Sequence, residues 1–174
     1  MASLQAALVR LRQGVHALLA RWETVDERPL AVLNDRERAL FDRLPRADRL
    51  HALRVAQRLR PAGETHPSLL KAALLHDVGK AGQDIYLLHR VVRVLLRLAA
   101  PTWLDRIAAD SQGWHRPFYA LANHAALGAL WIAESGSDSL TVALVRYHDA
   151  TACPPALADN ADLWRALQQA DDQG

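Results

Sequence analysis

Residues 74–80 read LLHDVGK and close an apolar run that follows Pro67 as SLLKAALL. Pro67 suits the first position of a helix and Gly79 a left-handed C-cap, so a helix is predicted over residues 67–79. On that helix His76 stacks over Ala72, Ala73 and Leu69, and Asp77 over Ala73, Leu74 and Leu70. Both polar side chains therefore lie along the apolar stripe. A carboxylate in such a place is costly to desolvate unless a cation or strong donors meet it.

The same periodicity extends to both sides. Leu4, Leu8, Leu11, Val15, Leu18 and Trp22 mark one face of a helix capped by Ser3. Asn34 caps a short helix to Leu44, and Pro45 opens another that reaches Arg60 and stops at RPAG. Further helices are predicted over residues 84–99, from Pro101, over 117–134, over 139–148 and from Asn160 onward. No stretch alternates as a half-buried strand would. The expectation is a single all-α domain over residues 1–174, a helical bundle of eight or nine helices, with no repeat or linker.

Bulk composition narrows the function classes. The chain has 174 residues and a net charge of +2, with 19 arginines against two lysines. So slight an excess argues against a nucleic-acid partner. One cysteine, Cys153, cannot form an internal disulfide, which suits a reducing compartment. No apolar run approaches the roughly 18 residues of a membrane span. The Arg-bearing N-terminus reads as an ordinary amphipathic helix rather than a targeting segment, and a cytoplasmic location is expected.

Other polar residues fall on apolar stripes as His76 and Asp77 do. His51 lines up with Leu44, Ala47 and Val55, His124 with Leu121, Gly128 and Trp131, and His148 with Leu144. Gly128 reads as leaving room for something bulky. In the last helix Asp171 aligns with Trp164 and Leu167, whereas Asp172 falls on the outer face. A single buried histidine is ordinarily bonded to a carbonyl. Four on separate apolar faces, joined by two acids, make a mixed nitrogen–oxygen site for a divalent transition metal.

These residues, in this order, resemble the HD superfamily of metal-dependent phosphohydrolases, whose pattern is a His, a His-Asp pair and a distant Asp on a helical bundle. The counterparts are His51 in RLHALRVAQRL, His76 and Asp77 in LLHDVGK, and Asp171 in LQQADD. HDVGK is similar to the His-Asp-Ile-Gly-Lys variant. His124 with Gly128 in NHAALGA, and His148 in VRYHD, resemble the branch that holds two metals. That branch usually has paired histidines where this chain has His148 and Asp149, which leaves open whether Asp149 is a substitute ligand or a support for one. The resemblance covers residues 44–171, with the helices of residues 3–43 packed on that core. The Gly-Tyr-Pro signature of cyclic di-GMP phosphodiesterases is absent: DATACPPAL follows Tyr147-His148.

The resemblance implies a phosphohydrolase that cleaves a nucleotide-like phosphomonoester or phosphodiester with a metal-activated hydroxide. Two divalent ions are implied, Mn or Fe before Zn, Mg, Ni or Co. His51, His76 and Asp171 would hold one, His124 and His148 the other, and Asp77 would bridge them. Lys80 would bind phosphate or offset charge in the transition state, the alternative being a lysine at a helix C-terminus. A degenerate module that binds a nucleotide or partner without turnover is the alternative function. Arg90, Arg93 and Arg97 form a ridge on the helix of residues 84–99. That ridge reads as solvated on a core helix, with a homodimer contact or an anionic membrane surface as the other readings. Trp114, Arg116, Phe118 and Tyr119 read as loop packing, with a mouth over the metals as the alternative.

Overall fold

The computed structural model describes residues 26–59, 66–82, 85 and 87–173, whose regular elements are all helical, with no strand among them. The helix expected from Ser3 to Trp22 lies outside the described residues. A 3-10 turn at Arg28–Val32 leads into α1 (Asp35–Asp42) and α2 (Arg46–Leu59). Next come α3 (Pro67–Leu75), a 3-10 turn at Val78–Lys80, α4 (Leu87–Ala99) and α5 (Pro101–Ala108). A turn at Gly113–His115 precedes α6 (Arg116–Glu134), then α7 (Ser139–Arg146), a turn at Pro155–Asn160 and α8 (Ala161–Asp172).

Helix starts follow local chemistry. Asn34 and Glu37 form a reciprocal capping box on α1, each side chain bonded to the other's backbone N–H at 2.8 Å. Asp138 accepts from the Thr141 N–H at the start of α7. Pro67, Pro101 and Pro117 occupy the opening turns of α3, α5 and α6, where a missing N–H is harmless.

With almost no polar residue of its own, α3 can face little but protein. Leu69, Ala72, Ala73, Leu74 and Leu75 are fully buried. The helix is packed by α2, α7 and α8, by α1 and by the Arg28–Val32 turn. Phe41, Val55, Ile132, Leu144 and Leu167 complete the core around it. Its one charged residue, Lys71, meets the fully buried Glu37 at 2.9 Å. Ser137 donates to the same carboxylate oxygen at 2.7 Å. This network ties α1, α3 and the α6–α7 connection together.

Two expectations change at the end of α3. The helix stops at Leu75 rather than running to Gly79, and the chain continues as the Val78–Lys80 turn. Gly79 is not a left-handed cap, since among the described glycines only Gly82, Gly113 and Gly136 have positive φ. Its lack of a side chain serves close approach instead. A Cβ there would sit 2.0 Å from the His124 carbonyl oxygen and 2.8 Å from the Gly128 nitrogen. Gly128 correspondingly makes room for the Gly79 backbone rather than for anything bulky.

The arginine-edged helix also differs from its expected place as a core element. Every described side chain of α4 is at least partly exposed, and Leu88, Leu95 and Leu98 are exposed outright. Val92 and Leu96 pack against a small cluster of Leu104, Ile107 and Phe118. Phe118 thus belongs to that cluster rather than to a mouth over the site. No described helix is long and apolar enough to cross a membrane.

Candidate metal centre

Five elements bring the polar residues together. His51 comes from α2, His76 from the C-cap just beyond α3 and Asp77 from the residue after it, His124 from the middle of α6, His148 from beyond α7, and Asp171 from the last turn of α8. His76, Asp77, His124 and His148 are buried, while His51 and Asp171 are partly exposed. Asp171 is therefore less enclosed than its helical register predicts, with its side chain 30% exposed.

Three imidazoles are set by one device. Nδ1 of His76 lies 2.9 Å from the Ala73 carbonyl, that of His124 3.2 Å from Leu121, and that of His148 2.7 Å from Val145. A carbonyl only accepts, so each Nδ1 carries the hydrogen and each neutral ring presents a bare lone pair at Nε2. For His76 and His148 the carbonyl belongs to the last turn of the helix just ended, where it has no intrahelical donor. Gln168 holds the His148 segment from outside, donating to the His148 and Ala150 carbonyls. Trp164 Nε1 does the same to Tyr147.

The lone pairs converge on Asp77. Nε2 of His124 is 3.2 Å from Nε2 of His148 and 3.5 Å from Asp77 Oδ1. Nε2 of His76 is 3.7 Å from Asp77 Oδ2 and 3.6 Å from Asp171 Oδ1. With both Nδ1 atoms protonated, the close His124–His148 pair is two facing lone pairs rather than a hydrogen bond, an arrangement that only a shared proton or a cation relieves. Donor atoms about 2.1 Å from a tetrahedral ion stand roughly 3.4 Å apart, the spacing found here. His51, His76 and Asp77 form one set of donors, and Asp77, His124 and His148 another, each within 4.8 Å of one another. Either set could hold a metal ion.

Unmet polar groups concentrate here. His76 Nε2 and Asp77 Oδ1 are buried without a hydrogen-bond partner. Lys80 Nζ approaches Asp77 Oδ1 to 2.6 Å, an ion pair without hydrogen-bond angles. His51 Nε2 and Asp171 Oδ1 are hydrogen-bonded at 2.8 Å. That hydrogen must leave before His51 can bind an ion through Nε2.

Electrostatics favours ionised acids beside neutral imidazoles. Burial opposes the charge on Asp77, but Lys80, and after it His76 and His124, outweigh burial and hold the carboxyl well below its usual range. Partial burial opposes the charge on Asp171 too, yet His76 and the His51 hydrogen bond depress its pKa. Burial, above all, lowers His76 and His124, and Lys80 lowers His124 further. Deprotonated carboxylates and neutral imidazoles are the forms that bind metal.

Asp149 does not join the cluster. It is exposed, whereas His148 beside it is buried, so it is not a substitute ligand here. His115 pairs instead with Asp110 on the surface, and Trp114 is exposed. Arg54 and Arg58 share the His51 side of α2, a helical spacing already visible in the sequence. No protein-family model, curated protein or solved structure matches the chain.

Proposed function

We propose that the chain is a metal-dependent phosphohydrolase of the HD type, acting on a nucleotide-like phosphomonoester or phosphodiester. The observation that carries this reading is the position of Asp77, whose Oδ2 faces His76 while its Oδ1 faces His124. One carboxylate between two sets of imidazoles is the arrangement expected of a bridge between two ions. Bound divalent ions would polarise a phosphoryl oxygen and make a water acidic enough to attack phosphorus at neutral pH. Mn or Fe suits the thiolate-free donor set.

The protein's own groups have separate tasks. Asp77 keeps its negative charge at the centre of the site. His76, His124 and His148 hold fixed lone pairs through their carbonyl anchors, and the His51–Asp171 pair closes the side of the site next to α2. Lys80, at the edge of Asp77, offsets negative charge on a bound phosphate. The fixed rings need little reorganisation as charge develops on the phosphoryl oxygens.

The test is metal analysis of purified protein combined with a phosphoester panel. Wild type should carry a divalent metal and hydrolyse at least one substrate, whereas Asp77→Ala should lose both metal and turnover. At a hundred times its dissociation constant, Mn²⁺ should add about 2.7 kcal/mol, or roughly 5–11 °C in melting temperature for a chain of this size. Metal-free protein with an unchanged melting temperature in Mn²⁺ overturns the reading. Metal and nucleotide binding without hydrolysis would assign a binding module instead, the reading favoured by the exposure of Asp149.

A further inference from the structure

Among the described residues three buried side-chain nitrogen or oxygen atoms lack a hydrogen-bond partner: His76 Nε2, Asp77 Oδ1 and Arg58 Nη1. The first two belong to the candidate metal centre, where Lys80 already faces Asp77 Oδ1 as an ion pair. Arg58 carries positive charge, so a metal ion does nothing for it. What it lacks is an acceptor.

Its place in the fold is specific. Arg58 follows His51 by seven residues on α2, two helical turns or about 10 Å along the axis. Val55 is fully buried between them. Long side chains on a helix lean toward its N-terminus, which here is the direction of His51. Arg58 lies within electrostatic reach of Asp171 and of Arg54 one turn earlier. Asp171 is already engaged by His51 at 2.8 Å and faces His76 at 3.6 Å. Burial first, and then Arg54, disfavour the charged guanidinium, with Asp171 opposing them. An anion beside Arg58 would relieve both the desolvation and the repulsion.

We infer that Arg58 is an anion-binding residue at the Asp171 edge of the metal centre, and that the substrate carries a second anionic group, a phosphate, besides the one that reacts. This rests on the phosphohydrolase reading for the first phosphate and extends it to a substrate class. Lys80 stands at the Asp77 oxygen that faces His124, whereas Arg58 follows His51 on α2 within electrostatic reach of Asp171, so the two cations would serve different parts of one ligand. The planar guanidinium fork matches two phosphate oxygens at once, which a lysine would not. Arg58 is a positioning residue, remote from the reacting phosphorus.

The experiment compares adenosine 5′-monophosphate with adenosine 3′,5′-bisphosphate by calorimetry, on Mn²⁺-treated full-length protein and again in chelator. Wild type should bind the bisphosphate at least tenfold more tightly. Arg58→Gln should erase that preference while leaving monophosphate affinity and metal content unchanged, and Arg58→Lys should restore part of it. Because Arg58 Nη1 has no hydrogen-bond partner in the free protein, Arg58→Gln should melt close to wild type, whereas an arginine held by structural hydrogen bonds would lower the melting temperature. Metal uptake with the preference intact in Arg58→Gln, or no preference in wild type, overturns the inference. No metal uptake, with an Arg58-dependent preference persisting in chelator, would instead remove the hydrolase reading and keep the anion site.

Discussion

Replacing Gly79 by alanine tests whether the His-Asp turn is held against α6 by bare backbone. The new Cβ would meet the His124 carbonyl oxygen at 2.0 Å, where real Cβ atoms essentially never come within 3.0 Å, so turn and helix must separate by about 1 Å. Overpacking costs 1–3 kcal/mol in typical cores, and because neither partner is a flexible side chain, about 3 kcal/mol is expected. For a chain of this size that lowers the melting temperature by roughly 6–12 °C. The same displacement shifts His124 relative to Asp77, now 3.5 Å from it, so Mn²⁺ affinity should fall as well. Gly128→Ala is the internal control. Its nearest contacts would be 3.2 Å to Gly79 N and 3.4 Å to Val78, and the helix gains about 1 kcal/mol when alanine replaces glycine. It should lie within about 1 kcal/mol of wild type. Urea unfolding of both variants decides: a Gly79→Ala protein within about 0.5 kcal/mol of wild type, or one more stable than Gly128→Ala, refutes the reasoning.

Glu37→Ala strands Lys71 and removes the capping box, so about 3–5 kcal/mol of stability should be lost in chemical denaturation; a loss under 1 kcal/mol would show the network to be incidental. Acidification should destabilise chelator-treated protein. His76 and His124 have lowered pKa values in the fold, so below the unfolded value of 6.5 the unfolded chain takes up protons that the folded one refuses. Each contributes a loss of up to about 1.4 kcal/mol per pH unit. Asp77 and Asp171, depressed below 3.8, stabilise the fold above that value, and this contribution disappears as pH falls through their folded pKa values. Melting temperatures that rise between pH 6.5 and 5 would contradict this sign. Asp138→Ala should cost about 1 kcal/mol through the lost α7 cap, read by thermal melting with metal content unchanged.

Much of the centre could be read from the chain because a polar residue on an apolar stripe is visible without coordinates. His51, His76, Asp77, His124, His148 and Asp171 were all singled out that way, and the structure links each of them to another of the set at 2.8–3.7 Å. The part played by Asp149 stayed open because adjacency to His148 says nothing about which way the chain turns after α7. Gly79 shows a second limit: glycine offers both left-handed backbone and close approach, and only the neighbour across the gap, Gly128, tells which is used. The capping pair Asn34 and Glu37 is local and therefore legible, whereas Lys71 and Ser137 reach Glu37 from distant parts of the chain. Arg58 reads as an ordinary solvated arginine until the closure of its Nη1 is known. The apolar residues of α4 signal a need for cover, but not that α5 and α6 would cover only one side.

The anchoring of His76 and His148 to the carbonyls of Ala73 and Val145 bears on how an ion would be taken up. Each ring finishes the hydrogen bonding of a helix end, so its aim is fixed by a few neighbouring residues rather than by whatever it ligates. Withdrawing an ion would expose repulsion among the rings but leave those ends sealed. Uptake and release can then proceed on a folded scaffold, with exchange governed by access and proton competition instead of by unfolding.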